Sequence, residues 1–148
     1  MTEAITLQSI PHRPPFLYVD EIVEVNDDRI ETMKFVDPAS DFFQGHYPHE
    51  PVMPGVLILE CCFQAGALLM AHRLGGYDTA GGIPVLTRIR DARFKRIVRP
   101  GETLTIHAEL EDELDDAFHL RGSAGVDGET AVQVRYSCML VREESTQP

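Results

Sequence analysis

Three stretches in the second half of the chain alternate between apolar and polar residues. In residues 102–110, 117–124 and 130–141, apolar or small side chains recur at every second position, and most positions between them are polar. A period of two places successive side chains on opposite faces of a β-strand. We therefore predict three strands that each bury one face and expose the other to water.

Residues 54–74 follow a different pattern, because apolar residues occur on all sides of the helix that this segment would form. Pro54 suits the first turn of a helix, and Gly75 with Gly76 is typical of a helix end. A helix that is apolar all round is buried on most sides. The pattern thus predicts one long helix inside the molecule.

The rest of the chain predicts further strands and a long loop. Residues 16–25 and 29–37 are rich in strand-forming residues and flank a turn signal at 26–28. Residues 82–98 are expected to form two strands or one bent strand. Residues 38–53 contain glycine and several prolines without any periodicity, which predicts a loop long enough to have a function.

One buried helix and about six mostly antiparallel strands indicate a single α+β domain that spans residues 1–148. The sheet has to curl around the helix to bury it on several sides. A single copy would not cover the helix completely, so self-association is expected. Residues 143–148 are predicted to be a disordered tail.

The charge of the chain excludes one class of partner and indicates another. A net charge of −11 argues against non-specific binding of nucleic acid. Residues 88–99, called the basic segment below, nevertheless hold six of the 13 basic side chains and a single acid. This segment indicates either an anionic partner or a strand face that is charged for solubility, and the sequence leaves both open.

Neither a secretory signal nor a membrane span is expected. The N-terminus lacks a basic region followed by an apolar run. Glu60 and Gln64 interrupt the apolar helix, and a carboxylate in mid-span is costly in lipid. The three cysteines have no disulfide or metal-binding spacing, so we expect buried, reduced thiols in a cytoplasmic protein. They are Cys61, Cys62 and Cys138.

Two titratable residues are the candidates for proton transfer. Glu60 lies on the apolar helix, where burial raises the pKa of a carboxyl group and makes it a proton donor near neutral pH. His46 lies in the loop just before that helix, and an imidazole suits the work of a general base. The simpler alternatives are a structural carboxylate held by a neighbouring donor and a solvated histidine.

Two further residues complete this candidate site. Gln64 shares a helix face with Glu60, four residues earlier. Gly55 lies in the first helical turn, where amides are unpaired and the absence of a Cβ lets a carbonyl oxygen approach. A base, an acid and an oxyanion donor together predict β-elimination, in which a proton α to a carbonyl is removed and a β-hydroxyl leaves as water.

No metal site and no cofactor are expected. Four other histidines fit no ligand spacing with one another, and we interpret them as surface or helix-end residues. The sequence contains no glycine-rich phosphate-binding loop and no G-x-S-x-G motif, which disfavours nucleotide cofactors and serine hydrolases. The four histidines are His49, His72, His107 and His119.

Three groups of residues carry a family resemblance. The first is Ile10-Pro11-His12-Arg13 with Pro15-Phe16-Leu17 and Val19-Asp20. The second is Gly45-His46-Tyr47-Pro48 followed by Pro51-Val52-Met53-Pro54-Gly55 and continuing to Glu60 and Gln64. The third is Ala92-Arg93-Phe94-Lys95-Arg96 followed by Val98, Pro100 and Gly101. Together they resemble the 3-hydroxyacyl-acyl-carrier-protein dehydratases of bacterial type II fatty-acid synthesis, and the match covers most of the chain.

The resemblance implies the hot-dog fold, in which an antiparallel sheet wraps around one long central helix. It also implies homodimers that share one continuous sheet, with larger assemblies such as a trimer of dimers. Each active site would take His46 from one subunit and Glu60 from the other. No metal or cofactor is implied.

The implied substrate is a (3R)-hydroxyacyl thioester on the phosphopantetheine arm of an acyl carrier protein, and the product is a trans-2-enoyl thioester. His46 would remove the α-proton, and Glu60, directly or through water, would help the hydroxyl group leave. The implied oxyanion and substrate-binding residues are Gly55, Gln64, Phe63 and Tyr47. The acidic carrier would dock on the basic segment through Arg88, Arg90, Arg93, Lys95, Arg96 and Arg99.

Some residues depart from the family pattern. Pro14 stands where an aromatic residue is common, and Cys61-Cys62-Phe63 replaces a smaller, alanine-rich segment, so Phe63 could reshape the acyl tunnel. A related dehydratase-isomerase group carries aspartate at the helix position, so Glu60 favours dehydration without isomerisation. The rival functions are a hot-dog thioesterase and a non-catalytic acyl-binding subunit, and coenzyme A remains open as an alternative to the carrier.

Overall fold

The computed structural model describes residues 4–142 and consists of one sheet and one long helix. The helices are α1 (Gly55–Leu74) and α2 (Tyr77–Ala80), and single 3-10 turns occur at Leu7–Ser9 and Asp41–Gln44. The strands are β1 (Glu21–Val25), β2 (Arg29–Phe35), β3 (Gly82–Phe94), β4 (Thr103–Leu114), β5 (Ala117–Val126) and β6 (Glu129–Arg142). The predicted tail at 143–148 lies outside the described residues.

The six strands form one antiparallel sheet in the order β1-β2-β4-β5-β6-β3. Helix α1 packs against five of them, from β2 to β6, so the sheet wraps around the helix. The predicted α+β architecture with a central helix is confirmed. The period-two prediction is also confirmed, because inward residues such as Ile106, Leu120 and Tyr136 are almost completely buried beneath α1.

Helix α1 has the predicted length and ends where its glycines predict. Gly75 adopts a left-handed backbone (φ 73°), and the Gly76 amide donates to the carbonyl of Ala71 at 2.9 Å. Such a turn is readily adopted by glycine because it has no Cβ. By length and mean hydropathy (1.6) α1 could cross a membrane, but 67% of that stretch is buried inside this fold. Its apolar character is explained by the core.

The predicted strand at 16–25 is wrong in its first half. Only Glu21–Val25 pairs as β1, at the edge of the sheet. The preceding segment bonds to the helix, because the Tyr18 amide donates to Gln64 Oε1 at 2.7 Å and Gln64 Nε2 donates to the Phe16 carbonyl at 2.8 Å. A buried glutamine on α1 thus satisfies backbone groups that a sheet partner would otherwise have satisfied.

The basic segment belongs mainly to one bent strand, which agrees with one of the two forms predicted for residues 82–98. Strand β3 runs over Gly82–Phe94 and, in the described part of the chain, pairs only with β6. Its register shifts twice, between Leu86 and Arg88 and between Arg90 and Arg93, and Asp91 has a positive φ of 53° at the second shift. Register shifts of this kind bend a strand.

The close packing of α1 on β5 and β6 leads to a prediction about stability at Gly66. A Cβ at this position would collide with the hydroxyl group of Tyr136, which is buried and donates to the Cys62 carbonyl at 2.9 Å. We expect Gly66→Ala to lower the free energy of unfolding by about 1–3 kcal/mol, because the displaced ring has no free space. Urea unfolding measures this change.

The matched control is Gly45→Ala. A Cβ at Gly45 meets nothing within 4 Å, and this residue has a φ of −119°, which any amino acid adopts. Its stability should stay within about 0.5 kcal/mol of the parent protein. Equal stability of the Gly66 and Gly45 variants would contradict the packing argument.

Candidate active site

Gln64 organises the candidate site on α1 and is completely buried. Its Oε1 accepts the Tyr18 amide, and its Nε2 donates both to the Phe16 carbonyl and to Glu60 Oε2, the latter at 3.0 Å. A backbone amide only donates and a carbonyl only accepts, so these partners fix the orientation of the Gln64 amide. Glu60 Oε2 is therefore held as an acceptor.

Glu60 has the properties that the sequence predicts for a proton donor. Its side chain is 20% exposed, and burial raises the pKa of its carboxyl group, while the hydrogen bond from Gln64 lowers the pKa and opposes part of that effect. Desolvation penalises the charged carboxylate more than the neutral acid. The predicted direction of the Glu60 pKa is confirmed.

His12 contacts the same carboxyl group, and the sequence analysis did not identify it as a site residue. His12 Nε2 lies 3.7 Å from Glu60 Oε2. Burial lowers the pKa of His12, with a smaller effect in the same direction from Arg13. The signal available in the sequence was its position in the Ile10-Pro11-His12-Arg13 motif, but nothing local indicates that this motif reaches α1.

His46 lies in the loop before α1 and is anchored through one ring nitrogen. Its Nδ1 lies 2.9 Å from the carbonyl of Val52. A carbonyl can only accept, so Nδ1 carries the proton and Nε2 has a free lone pair. A histidine held in this tautomer is oriented to act as a base through Nε2.

The loop around His46 forms a shallow, mostly apolar cleft. Tyr47 is 65% exposed, has a positive φ of 53° and packs its ring on that of His46, with the ring centroids 4.5 Å apart. A positive φ is strained for an aromatic residue, and such strain is common at functional sites. The cleft is lined by Tyr47, Pro48, His49, Glu50, Val52, Ile97 and Arg99.

Gly55 lies in the first turn of α1, as predicted, although the helix begins at Gly55 and not at Pro54, which is the N-cap residue. Its surroundings add a second reason for a glycine there. A Cβ at Gly55 would lie 2.7 Å from the ring of Phe94, so the ring packs directly over the helix start. The amide of Gly55 belongs to the first turn, where no intrahelical acceptor exists. Phe63, three residues after Glu60, is half-buried and packs edge-on against Tyr136, with centroids 4.9 Å apart.

Within residues 4–142, no hydrogen bond or ion pair joins His46 to Glu60. His46 is held by Val52 and Tyr47, whereas Glu60 is held by Gln64 and contacts His12. A single chain therefore brings Glu60 together with Gln64 and His12, but within the described residues it does not pair Glu60 with His46.

The basic side chains of this segment lie in two parts of the structure, on the outer face of the sheet and in the loop after β3. Arg90 and Arg93 lie opposite Arg135 and Gln133 of β6, and Arg88 lies opposite Ser137. Since the alternate β6 residues face α1, these three arginines lie on the outer face of the sheet, away from the helix. The outer face carries them together with Arg29, Arg121 and Arg135.

The rest of the basic segment follows β3. Arg96 is held between Glu102 and Glu129, with ion-pair distances of 2.7 and 2.6 Å. Arg99 lines the cleft at His46 and lies 3.8 Å from Glu50, and both side chains are at least half exposed. Lys95 is exposed. Of the predicted docking residues, Arg99 is the one that lines the cleft beside His46.

The remaining predicted residues have ordinary surroundings. The three cysteines are free and buried, as predicted, and burial raises the pKa of Cys61 and of Cys138 to about 12. In the described part of the chain, no three His, Cys, Asp or Glu side chains form a group that could hold a metal ion. His72, His107 and His119 contact Asp27, Glu31 and Ser137, respectively.

Comparison with known proteins finds relatives along nearly the whole chain. A family model described as the FabA-like domain matches residues 10–135. A 3-hydroxyacyl-acyl-carrier-protein dehydratase FabZ from Aromatoleum aromaticum is 40% identical over 135 residues, which cover 90% of this chain and 93% of that protein.

Solved structures show the same fold at low sequence identity. The dehydratase heterocomplex ApeI:P from Xenorhabdus doucetiae matches with a TM-score of 0.82 at 16% identity, covering 97% of this chain and 95% of that chain. A hypothetical thioesterase with coenzyme A from Streptococcus pneumoniae matches with a TM-score of 0.63 at 14% identity, covering 82% and 88%. These similarities establish the predicted hot-dog fold.

Proposed function

The chain belongs to the FabA-like family, with FabZ-type 3-hydroxyacyl-acyl-carrier-protein dehydratases among its relatives, and we propose that it converts (3R)-hydroxyacyl-acyl-carrier protein to the trans-2-enoyl thioester in fatty-acid synthesis. The observation that carries this proposal is a carboxyl group with a raised pKa, Glu60, held by Gln64 on the helix that follows His46. Elimination of water needs an acid for the leaving hydroxyl and a base for the α-proton.

Glu60 acts as the acid. Because Oε2 already accepts a hydrogen bond from Gln64, the proton of the neutral carboxyl group belongs on Oε1. That proton is transferred to the β-hydroxyl group, directly or through water, so that the hydroxyl leaves as water. The raised pKa keeps the group protonated at higher pH than an ordinary glutamate.

His46 acts as the base. Its Nδ1–H donates to the Val52 carbonyl, which leaves the Nε2 lone pair to remove the α-proton of the substrate. The Val52 carbonyl also stabilises the imidazolium that forms, because it accepts a hydrogen bond from a ring that has become positively charged.

The Gly55 amide binds the thioester carbonyl oxygen. An unpaired amide at a helix N-terminus stabilises the negative charge that develops on this oxygen as the α-proton leaves. Phe94 covers the same glycine, so its ring has to shift, or border the oxygen, when substrate binds. Tyr47, in the exposed cleft, and the half-buried Phe63 are the residues that would contact the acyl chain.

A second subunit supplies the missing half of each site. Among residues 4–142, strand β3 pairs on one side only, and its apolar residues Ile83, Ile89 and Phe94 are 51%, 47% and 55% exposed. A long edge strand with exposed apolar side chains favours pairing with a further strand. Pairing of β3 with β3 of a second copy covers this edge, gives one continuous sheet and lets His46 of one subunit meet Glu60 of the other.

The carrier protein docks beside Arg99. We expect Arg99→Glu to raise the KM for a carrier-bound substrate about tenfold with little change in kcat, because it reverses the charge beside the cleft that an acidic partner meets. The effect should shrink as salt rises. Arg29→Glu reverses an exposed charge on the outer face, away from the cleft, and is the matched control. Equal KM values for the two variants would place docking elsewhere.

The deciding experiment incubates the purified protein with a 3-hydroxyacyl thioester on acyl carrier protein and follows enoyl product by mass spectrometry. Turnover of this substrate supports the proposal, and parallel reactions on several chain lengths and on coenzyme A thioesters define the preferred substrate. Release of free thiol from a saturated acyl thioester, without enoyl product, would instead identify a thioesterase.

A further inference from the structure

The position of the His12 side chain beside Glu60 indicates a role in this site. It lies half-buried, its Nε2 is 3.7 Å from Glu60 Oε2, and its Nδ1 is buried without a hydrogen-bond partner among the residues described. Its ring stacks on Phe16 (centroids 6.4 Å apart, 18° between planes), whose carbonyl accepts from Gln64. His12, from the N-terminal segment, and Gln64, from α1, thus approach the same oxygen of Glu60.

The unpartnered nitrogen decides which tautomer His12 adopts. With the proton on Nδ1, a donor would be buried without an acceptor, and the Nε2 lone pair would face the lone pairs of Glu60 Oε2. With the proton on Nε2, the same pair becomes a donor facing an acceptor, and only a weakly penalised lone pair stays buried. The neutral ring therefore presents Nε2–H to Glu60.

We propose that His12 is a positioning residue that, together with Gln64, holds Glu60 Oε2 as an acceptor and so leaves Oε1 as the oxygen that carries and delivers the proton. This inference rests on the proposed dehydration. At 3.7 Å the contact is longer than a hydrogen bond, and catalytic hydrogen bonds are often long before substrate is bound and tighten afterwards.

His12 is also the residue through which the N-terminal motif reaches the site. Arg13 donates to the Ile10 carbonyl at 2.5 Å and to the His12 carbonyl at 2.7 Å. Hydrogen bonds within the turn therefore hold its conformation. Ile10 is buried and anchors the turn in the hydrophobic core. A rigid turn keeps the imidazole at a constant distance from the carboxyl group.

Several other ionisable groups face the surroundings of Glu60 and His12. Burial raises the pKa of the Cys61 and Cys138 thiols to about 12 and also raises the pKa of Tyr18 and of Tyr136, so these four groups stay neutral near neutral pH. Lys34 lies over the ring of Tyr18, 5.3 Å from its centroid. The carboxylates that also act on this region are Asp20 and Asp41.

Steady-state kinetics of His12→Phe and His12→Gln on a carrier-bound 3-hydroxyacyl thioester test the proposal. Phenylalanine keeps the ring volume without a donor, and we expect at least a tenfold loss in kcat, little change in KM and an alkaline limb of the kcat/KM profile that moves to higher pH. The shift has this sign because an N–H donor stabilises the carboxylate. Glutamine supplies an N–H near the Nε2 position and should recover most of the rate.

A double-mutant cycle separates positioning from general damage. In a Glu60→Gln background, His12→Phe should cause no further loss, because its effect acts through Glu60. Wild-type kcat and an unmoved alkaline limb in His12→Phe, or an equal loss in both backgrounds, would overturn the inference while leaving the dehydratase proposal standing. A wild-type protein without dehydratase activity would overturn both.

Thermal melting of every variant accompanies the kinetics. Should His12→Phe fail to fold, His12→Asn replaces it, because its shorter amide cannot reach the position of Nε2. His12→Asn should then show the loss and the pH shift while His12→Gln does not, and identical behaviour of the two would reject the positioning role.

Discussion

His46→Ala is expected to lower kcat on a carrier-bound (3R)-hydroxyacyl thioester by about 10²–10⁴-fold, the usual contribution of a general base. The loss follows from the geometry of the ring, since Val52 holds Nδ1 as a donor and Nε2 is the only lone pair that the imidazole can offer to a substrate. Binding should weaken little, because the base touches the α-proton and not the carrier. Stopped reactions analysed by mass spectrometry measure the rate.

His72→Ala is the matched control for this loss. His72 lies near the other end of α1, where its Nε2 is 3.4 Å from Asp27 on the surface. Its removal changes a weak surface ion pair and should leave kcat within about twofold of the parent value. Full turnover by His46→Ala would remove the base from the mechanism.

Glu60→Gln is expected to reduce kcat by about 10²–10⁴-fold, because an amide occupies the same volume but cannot deliver a proton. Glu24→Gln neutralises an exposed carboxylate of β1 and should leave the rate unchanged. In the parent enzyme, kcat/KM should fall on the alkaline side as Glu60 deprotonates, at a higher pH than for an ordinary glutamate. That limb should be absent from the residual activity of Glu60→Gln.

The same variant should be more stable than the parent at neutral pH. The folded protein raises the pKa of Glu60 above its ordinary value of 4.5, so the unfolded chain loses the proton first and stability falls as pH rises through the folded value. Below the unfolded pKa both states are protonated and the difference vanishes. Urea unfolding should therefore show Glu60→Gln equal to the parent at about pH 3 and more stable at about pH 8.

A Glu60→Gln protein that is as stable as the parent at about pH 3 but less stable at about pH 8 would contradict the buried-acid argument. It would mean that the carboxylate is favourably held as an ion. A stability gain with lost activity is the expected pattern at an active site, where a group is kept for chemistry although it weakens the fold.

Much of the fold could be predicted from periodicity. The strands β4 and β6, the long helix and the turn at Gly75 follow from side-chain patterning and from backbone preferences that act over a few residues. The first half of the predicted strand 16–25 could not be judged in this way. Its backbone groups bond to Gln64, 46 residues or more away in sequence.

The same distinction between local patterns and long-range contacts applies to the candidate site. Glu60 could be identified from sequence because a single carboxylate in an apolar helix is unusual wherever the helix packs, and His46 because it lies in an irregular loop just before that helix. His12 could not, since only folding brings the N-terminal turn within 3.7 Å of the carboxyl group. The division of the basic segment was also hidden, because register decides which face of the sheet each arginine occupies.

By itself, then, the sequence determined the class of fold, the buried helix and the pair of residues proposed for proton transfer, because these depend on local patterns of burial and charge. The cytoplasmic location indicated by its reduced thiols stays a prediction. Only the tertiary structure shows that Gln64 donates to Oε2 of Glu60, that Val52 holds Nδ1 of His46 and leaves Nε2 free, and that His12 lies beside Glu60. Those outcomes depend on hydrogen bonds between segments far apart in the chain, which no local pattern records.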